Sequence, residues 1–327
     1  MQTIFYGLTK SQKLWLKTNS TGLNAKYQTG GLAVKNLPPQ STEIISIHSD
    51  SPITQEILRK LPNLKLIVTR TAGVDHIDLA ACHRLKVAVA NNAGLNSIAV
   101  AEFAFGMLLA YQRHITQALT VGKHLKFNDE NLTGTELFGK TIGIVGTGAI
   151  GSHVARIAKG FGMEILGYDT KKNSSNAQRL GMKYLGLKQL VQKADIITLH
   201  IPATPLTEQL FNRTLLSHVK PGAVLVNMAR GSVVEPKAVL HVLDKGLLSA
   251  YLADVVQNEY QLRSGTSRLS AKDRLLMKFQ RQLAKHPNTF FTPHIAHATE
   301  ESSERILRNT AQMIQQFKRG KKIPVIL

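Results

Sequence analysis

The chain has 327 residues, with 41 Lys and Arg against 21 Asp and Glu and a single cysteine, Cys82. That length accommodates two domains of roughly 100–200 residues, and the lone thiol excludes an intramolecular disulfide framework and a multi-cysteine zinc site, so no metal is expected. No stretch reaches the ~18 apolar residues of a membrane span, the opening residues lack a signal-peptide pattern, and the expectation is a cytoplasmic protein whose net charge of +20 leaves nucleic acid, anionic lipid and acidic small molecules open as partners.

In chain order, short β-branched runs occur at 3–6, 43–48, 64–69 and 87–90, with a helical stretch at 53–61. A long helix is expected at 97–113. The middle of the chain then alternates apolar runs at 141–145, 164–168, 196–200, 223–227, 249–255 and 289–291 with amphipathic stretches at 150–161, 187–192, 236–245 and 273–285. This alternation predicts parallel strands joined by crossover helices. The runs are continuous in their apolar character, as strands buried on both faces are. A last helix at 300–319 follows the final strand and is expected to return to the first domain. The fold class is therefore α/β, with two doubly wound parallel-sheet domains, the first made from both chain ends.

The positive charge is spread along the chain: net +6 over residues 1–98, +11 over 99–295 and +3 over 296–327. Two local concentrations stand out. One comprises Arg263, Arg268, Lys272, Arg274, Lys278, Arg281 and Lys285, opposed by Asp273 alone; the other is Lys318-Arg319-Gly320-Lys321-Lys322. Each reads as a solvated helix face. The first offers one aromatic, Phe279, and no recognition motif, so no specific nucleic-acid partner is expected.

Gly146-Thr147-Gly148-Ala149-Ile150-Gly151 is a G-x-G-x-x-G that follows an apolar strand and opens a helix. In that context it points to a dinucleotide. Gly146 permits the tight turn, Gly148 lets the backbone approach a pyrophosphate, and Gly151 lets helix and strand pack closely. The helix N-terminus supplies N–H groups for the anion. Asp169 ends the next strand, 23 residues after Gly146. An acidic residue there accepts from a ribose diol and repels a 2′-phosphate, which favours NAD over NADP. Lys171 and Lys172 soften that rejection, and Asp169 also reads as a cap of the following turn.

Three ionisable residues follow strands of the same sheet: Arg230, Glu259 and His294. Ligands of such sheets bind beyond the carboxyl ends of the strands. The trio suits hydride transfer to a 2-oxo acid. Arginine holds a carboxylate through two parallel hydrogen bonds. Histidine titrates near neutrality and can give a proton to the oxygen as hydride reaches the carbon. A nearby glutamate favours the imidazolium. A surface ion pair for Arg230 and an ordinary loop position for His294 remain the plainer readings.

Six blocks in order give the chain a family likeness. They are Thr71–Leu79, Asn96–Glu102, the glycine loop with Asp169, Val226–Gly231, Asp254 with Glu259, and Thr292–Ala296. Over roughly 64–301 the chain resembles the D-isomer-specific 2-hydroxyacid dehydrogenases, with a Glu259–His294 spacing closest to the D-lactate dehydrogenase branch. The resemblance implies a flavodoxin-like substrate-binding domain at 1–98 and 296–327, hinged to a Rossmann NAD-binding domain at 99–295. It implies that Arg230, Glu259 and His294 are catalytic, with His294 the acid in reduction of a 2-oxo acid to a D-2-hydroxy acid by NADH. Ala72 and Gly73 would hold the substrate carboxylate with Arg230, and His297 would line the substrate pocket or pack as a surface residue.

Cofactor contacts implied by the resemblance are Val100, Ala149, Ile150, Ile201, Pro202, Thr207, Met228, Arg230 and Asp254. Core packing remains the alternative for Val100, Ile201 and Pro202, and a turn cap for Asp254. A small anionic 2-oxo or 2-hydroxy acid is the implied partner, with a homodimer formed through the 97–113 helix and the segment to Gly139. Ala72 stands where phosphite dehydrogenases carry lysine, and formate dehydrogenases lack the counterpart of Glu259. An NAD-sensing corepressor on the same fold is the alternative from another functional class.

Overall fold

The computed structural model describes residues 1–20, 22–124, 132–259, 262 and 270–326. The chain divides into two compact units, Met1–Asn96 with Ala298–Leu327, and Ser97–His297. Each is built on one parallel sheet.

In the first unit the strands are β1 Gln2–Phe5, β2 Ala25–Tyr27, β3 Thr42–Ile47, β4 Leu66–Thr69 and β5 Ala88–Ala90. Their order is β2-β1-β3-β4-β5, the doubly wound arrangement of flavodoxin-like sheets. Ile4, Ile45, Ile67 and Val89 pair in register across four strands. They are buried together with Ile57 and Cys82 from helices on one face. The other face packs on Leu307, Ala311 and Ile314 of the helix Glu300–Lys318, which brings the two chain ends into one core. That helix is well started: Thr299 accepts from the Ser302 N–H, and Glu300 and Glu301 sit in the first turn, where the helix dipole favours acids.

In the second unit the strands are β6 Thr141–Val145, β7 Glu164–Tyr168, β8 Met182–Tyr184, β9 Ile196–Leu199, β10 Ala223–Asn227, β11 Leu248–Ala253 and β12 Thr289–Phe291. The order is β12-β11-β10-β9-β6-β7-β8, so the winding reverses between β6 and β9. One row, Ile144, Thr198, Val226, Leu252 and Phe290, runs in register across five strands. Helices cover both faces: Ser97–Gln112 and Ala149–Gly160 on one, Leu187–Lys193 and Pro236–Asp244 on the other.

Two edge strands, β2 and β8, are absent from the sequence expectation. Each has three residues with an exposed lysine at its centre, Lys26 or Lys183. A short charged edge protects a sheet from further pairing but leaves no apolar run to read. No helix among the described residues is long and apolar enough to cross a membrane.

Candidate active site

The winding reversal places the turns after β6 and β9 side by side, the position at which open α/β sheets take ligands. The first turn is the glycine loop. Gly146 has φ +93°, and a Cβ there would come within 2.6 Å of the His200 carbonyl oxygen. A Cβ on Gly151 would lie 2.0 Å from the Gly146 oxygen, so only glycine lets helix Ala149–Gly160 start this close to β6. Gly148, by contrast, is exposed and faces open space. It is the N-cap of that helix and supplies no capping side chain, so the first-turn N–H groups point outward without a protein acceptor from the cap. An open glycine at an uncapped helix start fits a pyrophosphate.

Asp169 is half-buried at the end of β7. Its Oδ2 accepts from the Thr147 N–H at 2.7 Å and the Thr147 hydroxyl at 3.1 Å, and its Oδ1 accepts from the Lys171 N–H at 2.8 Å. Asp169 thus caps the following turn through Lys171, also braces the glycine loop through Thr147, and its oxygens retain lone pairs for a diol. Ala149 is exposed and Ile150 half-buried on the first helical turn; Ile201 is half-buried and Pro202 exposed after β9. The Thr207 hydroxyl donates to the Pro202 carbonyl at 2.7 Å and shapes that loop. Val100 and Met228 are both buried in one core cluster.

The three chemical residues emerge from neighbouring strands. Asn227, fully buried at the end of β10, organises the turn that carries Arg230. Its Nδ2 donates to the Arg230 carbonyl at 3.1 Å, and its Oδ1 accepts from the Ala229 N–H at 3.0 Å. Gly231 then passes so near the next connection that a Cβ would lie 2.1 Å from the Gln257 nitrogen. That contact sets the Arg230 turn against the segment leading to Glu259.

Glu259 is fastened at both oxygens. Its Oε1 accepts from the Val256 N–H at 3.1 Å, and its Oε2 lies 2.6 Å from His294 Nδ1. An ionised carboxylate is acceptor-only, so the contact assigns the proton of a neutral ring to Nδ1 and leaves Nε2 for chemistry. His294 itself has φ +58°, a conformation that non-glycine residues seldom adopt.

Asp254 holds this turn. It is 2% exposed at the end of β11. Its Oδ1 accepts from the Thr292 hydroxyl at 2.5 Å and the Ile295 N–H at 2.9 Å, and its Oδ2 accepts from the Ala296 N–H at 2.8 Å. The carboxylate therefore brackets the turn that carries His294. His297 lies one turn on, its ring 5.7 Å from that of His294 and at 89° to it.

Asn227 and Thr292 carry no role in the sequence reading. Their signal there is a polar residue at the carboxyl end of an apolar run. His200 is a further one. Its Nε2 lies 2.9 Å from the Thr198 hydroxyl, its Nδ1 is buried without a hydrogen-bond partner among the described residues, and burial pushes its pKa down to about 3.

Ala72 and Gly73 belong to the first unit, in the turn after β4. The Ala72 carbonyl accepts from Asn91 Nδ2 and the Gly73 carbonyl from the Thr71 hydroxyl, each at 2.6 Å. Their N–H groups donate to nothing among the described residues.

Residues 105–296 match the NAD binding domain of the D-isomer specific 2-hydroxyacid dehydrogenases. The chain is 34% identical over 282 residues to a 2-hydroxyacid dehydrogenase homolog of Haemophilus influenzae, covering 85% of this chain and 84% of that one. It is 34% identical over 273 residues to a D-3-phosphoglycerate dehydrogenase of Synechocystis sp., covering 84% of this chain and 46% of that protein. The chain thus spans about half the length of the D-3-phosphoglycerate dehydrogenases it matches. Among solved structures, a D-lactate dehydrogenase from Aquifex aeolicus, complexed with NAD and lactic acid, superposes with a TM-score of 0.84 at 32% identity, covering 97% of this chain and 96% of that one.

Proposed function

The chain belongs to the D-isomer specific 2-hydroxyacid dehydrogenase family, and from that premise we propose that it is an NAD-dependent oxidoreductase interconverting a small 2-oxo acid and its D-2-hydroxy acid, of D-lactate dehydrogenase type. The observation that carries this reading is the His294–Glu259 pair at 2.6 Å beside the turn that presents Arg230.

NADH supplies the hydride when bound. Arg230 takes the substrate carboxylate through its planar fork and polarises the adjacent carbonyl. His294 Nε2 delivers the proton to the carbonyl oxygen, and Glu259 stabilises the imidazolium and fixes the ring. The N–H groups of Ala72 and Gly73, which have no acceptor among the described residues, are assigned to the substrate carboxylate, and His297 to side-chain preference. Asp169 supports NAD over NADP. Gly146, Gly148 and Gly151, with Ala149 and Ile150, form the pyrophosphate cradle; Val100, Ile201, Pro202, Thr207 and Met228 are assigned to its surroundings. We assign Met1–Asn96 with Ala298–Leu327 to substrate binding and Ser97–His297 to NAD, in a cytoplasmic homodimer formed through the 97–113 helix and the segment to Gly139.

NADH oxidation with a panel of 2-oxo acids tests this. The panel includes pyruvate, phenylpyruvate, branched oxo acids, glyoxylate, hydroxypyruvate and phosphohydroxypyruvate, with NADPH in parallel and chiral analysis of the products. Turnover to D-products is expected, fastest with pyruvate. Intact NADH binding with no turnover on any of them refutes the assignment.

A further inference from the structure

The helix Ala271–Lys285 presents Arg274, Lys278, Arg281 and Lys285 at spacings of four, three and four residues. At 3.6 residues per turn and 1.5 Å per residue, the four fall within an arc of about 60° and extend about 16 Å along the axis. All four are exposed, and with Gln282 they line a shallow groove of about 260 Å³. The helix turns Met277, Gln280 and Leu283 inward instead, so the stripe takes no part in holding the helix to the sheet.

Lys278, Arg281 and Lys285 make no ion pair among the described residues. Asp273 is engaged by Ser270 and Asn258 at the start of the helix, and Asp244 on the adjoining helix faces His286 at 3.7 Å. Lys237 of that adjoining helix covers Phe279 at 5.8 Å. Arg263 and Arg268, which extend this basic run in the sequence, lie outside the described residues.

Cations three and four residues apart repel on a helix, and glutamate at any of these positions would relieve them. A linear anion with regularly spaced charges relieves them equally. We propose that this stripe binds the phosphate backbone of double-stranded nucleic acid without reading sequence. The proposal goes beyond the oxidoreductase reading and does not rest on it. A duplex is favoured over a single strand because the stripe offers no open ring for base stacking. A lipid surface is disfavoured because Leu275 is the helix's exposed large apolar side chain, too little to enter a bilayer. The net charge of +20 adds a long-range attraction for the same partner.

Fluorescence anisotropy of the whole chain with a labelled, mixed-sequence duplex of about 24 base pairs tests it across ~50–200 mM salt. Three phosphates neutralised by Lys278, Arg281 and Lys285 give a slope of about −2.7 in log K against log salt, on the order of 40-fold in affinity over that range. The triple variant K278E/R281E/K285E is expected to lose at least about tenfold in affinity and most of the slope, with melting temperature and NADH-linked turnover unchanged. The control K318E/R319E/K321E is expected to bind nearly as the parent does. Absence of duplex binding by the parent at the lowest salt overturns the proposal. So does a triple variant that binds like the parent, a loss confined to the control, or tighter binding of polyglutamate or phosphatidylserine vesicles than of the duplex.

Discussion

Replacing Asp254 by asparagine separates two roles for one buried carboxylate. Family resemblance alone places Asp254 beside the cofactor; its hydrogen bonds place it under the turn that carries His294. Asparagine keeps one carbonyl oxygen, enough for the Thr292 hydroxyl and the Ile295 N–H. Its amide NH2 then meets the Ala296 N–H, so one charge-assisted bond becomes two opposed donors. Such a bond is worth about 1.5–3 kcal/mol. His294 adds its own tendency to relax, since its φ of +58° is of the kind that costs about 1–3 kcal/mol unless the surroundings enforce it. With about 2 kcal/mol of positioning lost and 1.36 kcal/mol per tenfold in rate, kcat is expected to fall about 30-fold. NADH affinity, measured by quenching of NADH fluorescence, is expected to stay within about threefold, because the glycine loop and Asp169 are untouched. A kcat near that of the parent with NADH affinity sharply weakened would refute the turn-holding role and return Asp254 to the cofactor.

Three further outcomes follow from the same geometry. His294→Ala is expected to lose about 10²–10⁴ in kcat, the usual worth of a positioned general acid, while NADH binding is retained; near-normal turnover removes His294 from proton delivery. Asp169→Ala is expected to raise the NADPH-to-NADH ratio of kcat/KM by about tenfold or more. Absolute rates with both cofactors should also fall, because Thr147 loses its acceptor; an unchanged ratio excludes Asp169 from ribose recognition. Burial lowers the His200 pKa from 6.5 to about 3. Between those values the unfolded chain binds a proton that the folded chain refuses, so stability present above pH 6.5 is lost on acidification at up to about 1.4 kcal/mol per pH unit. Urea midpoints from pH 7 to 5 should fall less steeply for His200→Gln, and parallel curves would show that His200 is not the group responsible.

Four strands, β6, β7, β10 and β12, have the limits expected from sequence. β6, β7 and β10 are legible because a parallel strand inside a covered sheet is a largely apolar run bounded by turn residues, and the edge strand β12 because Phe290 and Phe291 stand between Asn288 and Pro293. The edge strands β2 and β8 fail that test because each has only three residues with a lysine at the centre. At the site, residue types are legible and contacts are not. That Asp254 grips the Thr292–Ala296 turn depends on β11 and β12 being neighbours in the sheet, with Leu252 opposite Phe290. That Gly231 must be glycine depends on Val256 and Gln257 lying against it. Such contacts join positions about 25 to 40 residues apart, beyond any helical or strand period.

The polar residues at the carboxyl ends of β10, β11 and β12 form a connected device. Asn227, Asp254 and Thr292 end three adjacent strands whose other residues are almost entirely apolar. A buried amide or carboxylate without partners costs several kcal/mol. Here each is satisfied by the turn that follows or by the strand beside it. Asn227 binds the Arg230 turn and its carbonyl accepts from the Asp254 N–H at 3.2 Å; Asp254 binds the His294 turn; Thr292 donates to Asp254, and its N–H bonds the Ala253 carbonyl at 3.0 Å. The desolvation cost is therefore offset by hydrogen bonds that also aim the Arg230 and His294 turns from the carboxyl end of one sheet. Apolar residues would fill the same volume and leave both turns free to rotate. The polar choice at all three positions is thus a consequence of what the turns must present, and the pairing of β10, β11 and β12 in one sheet brings the three anchors side by side.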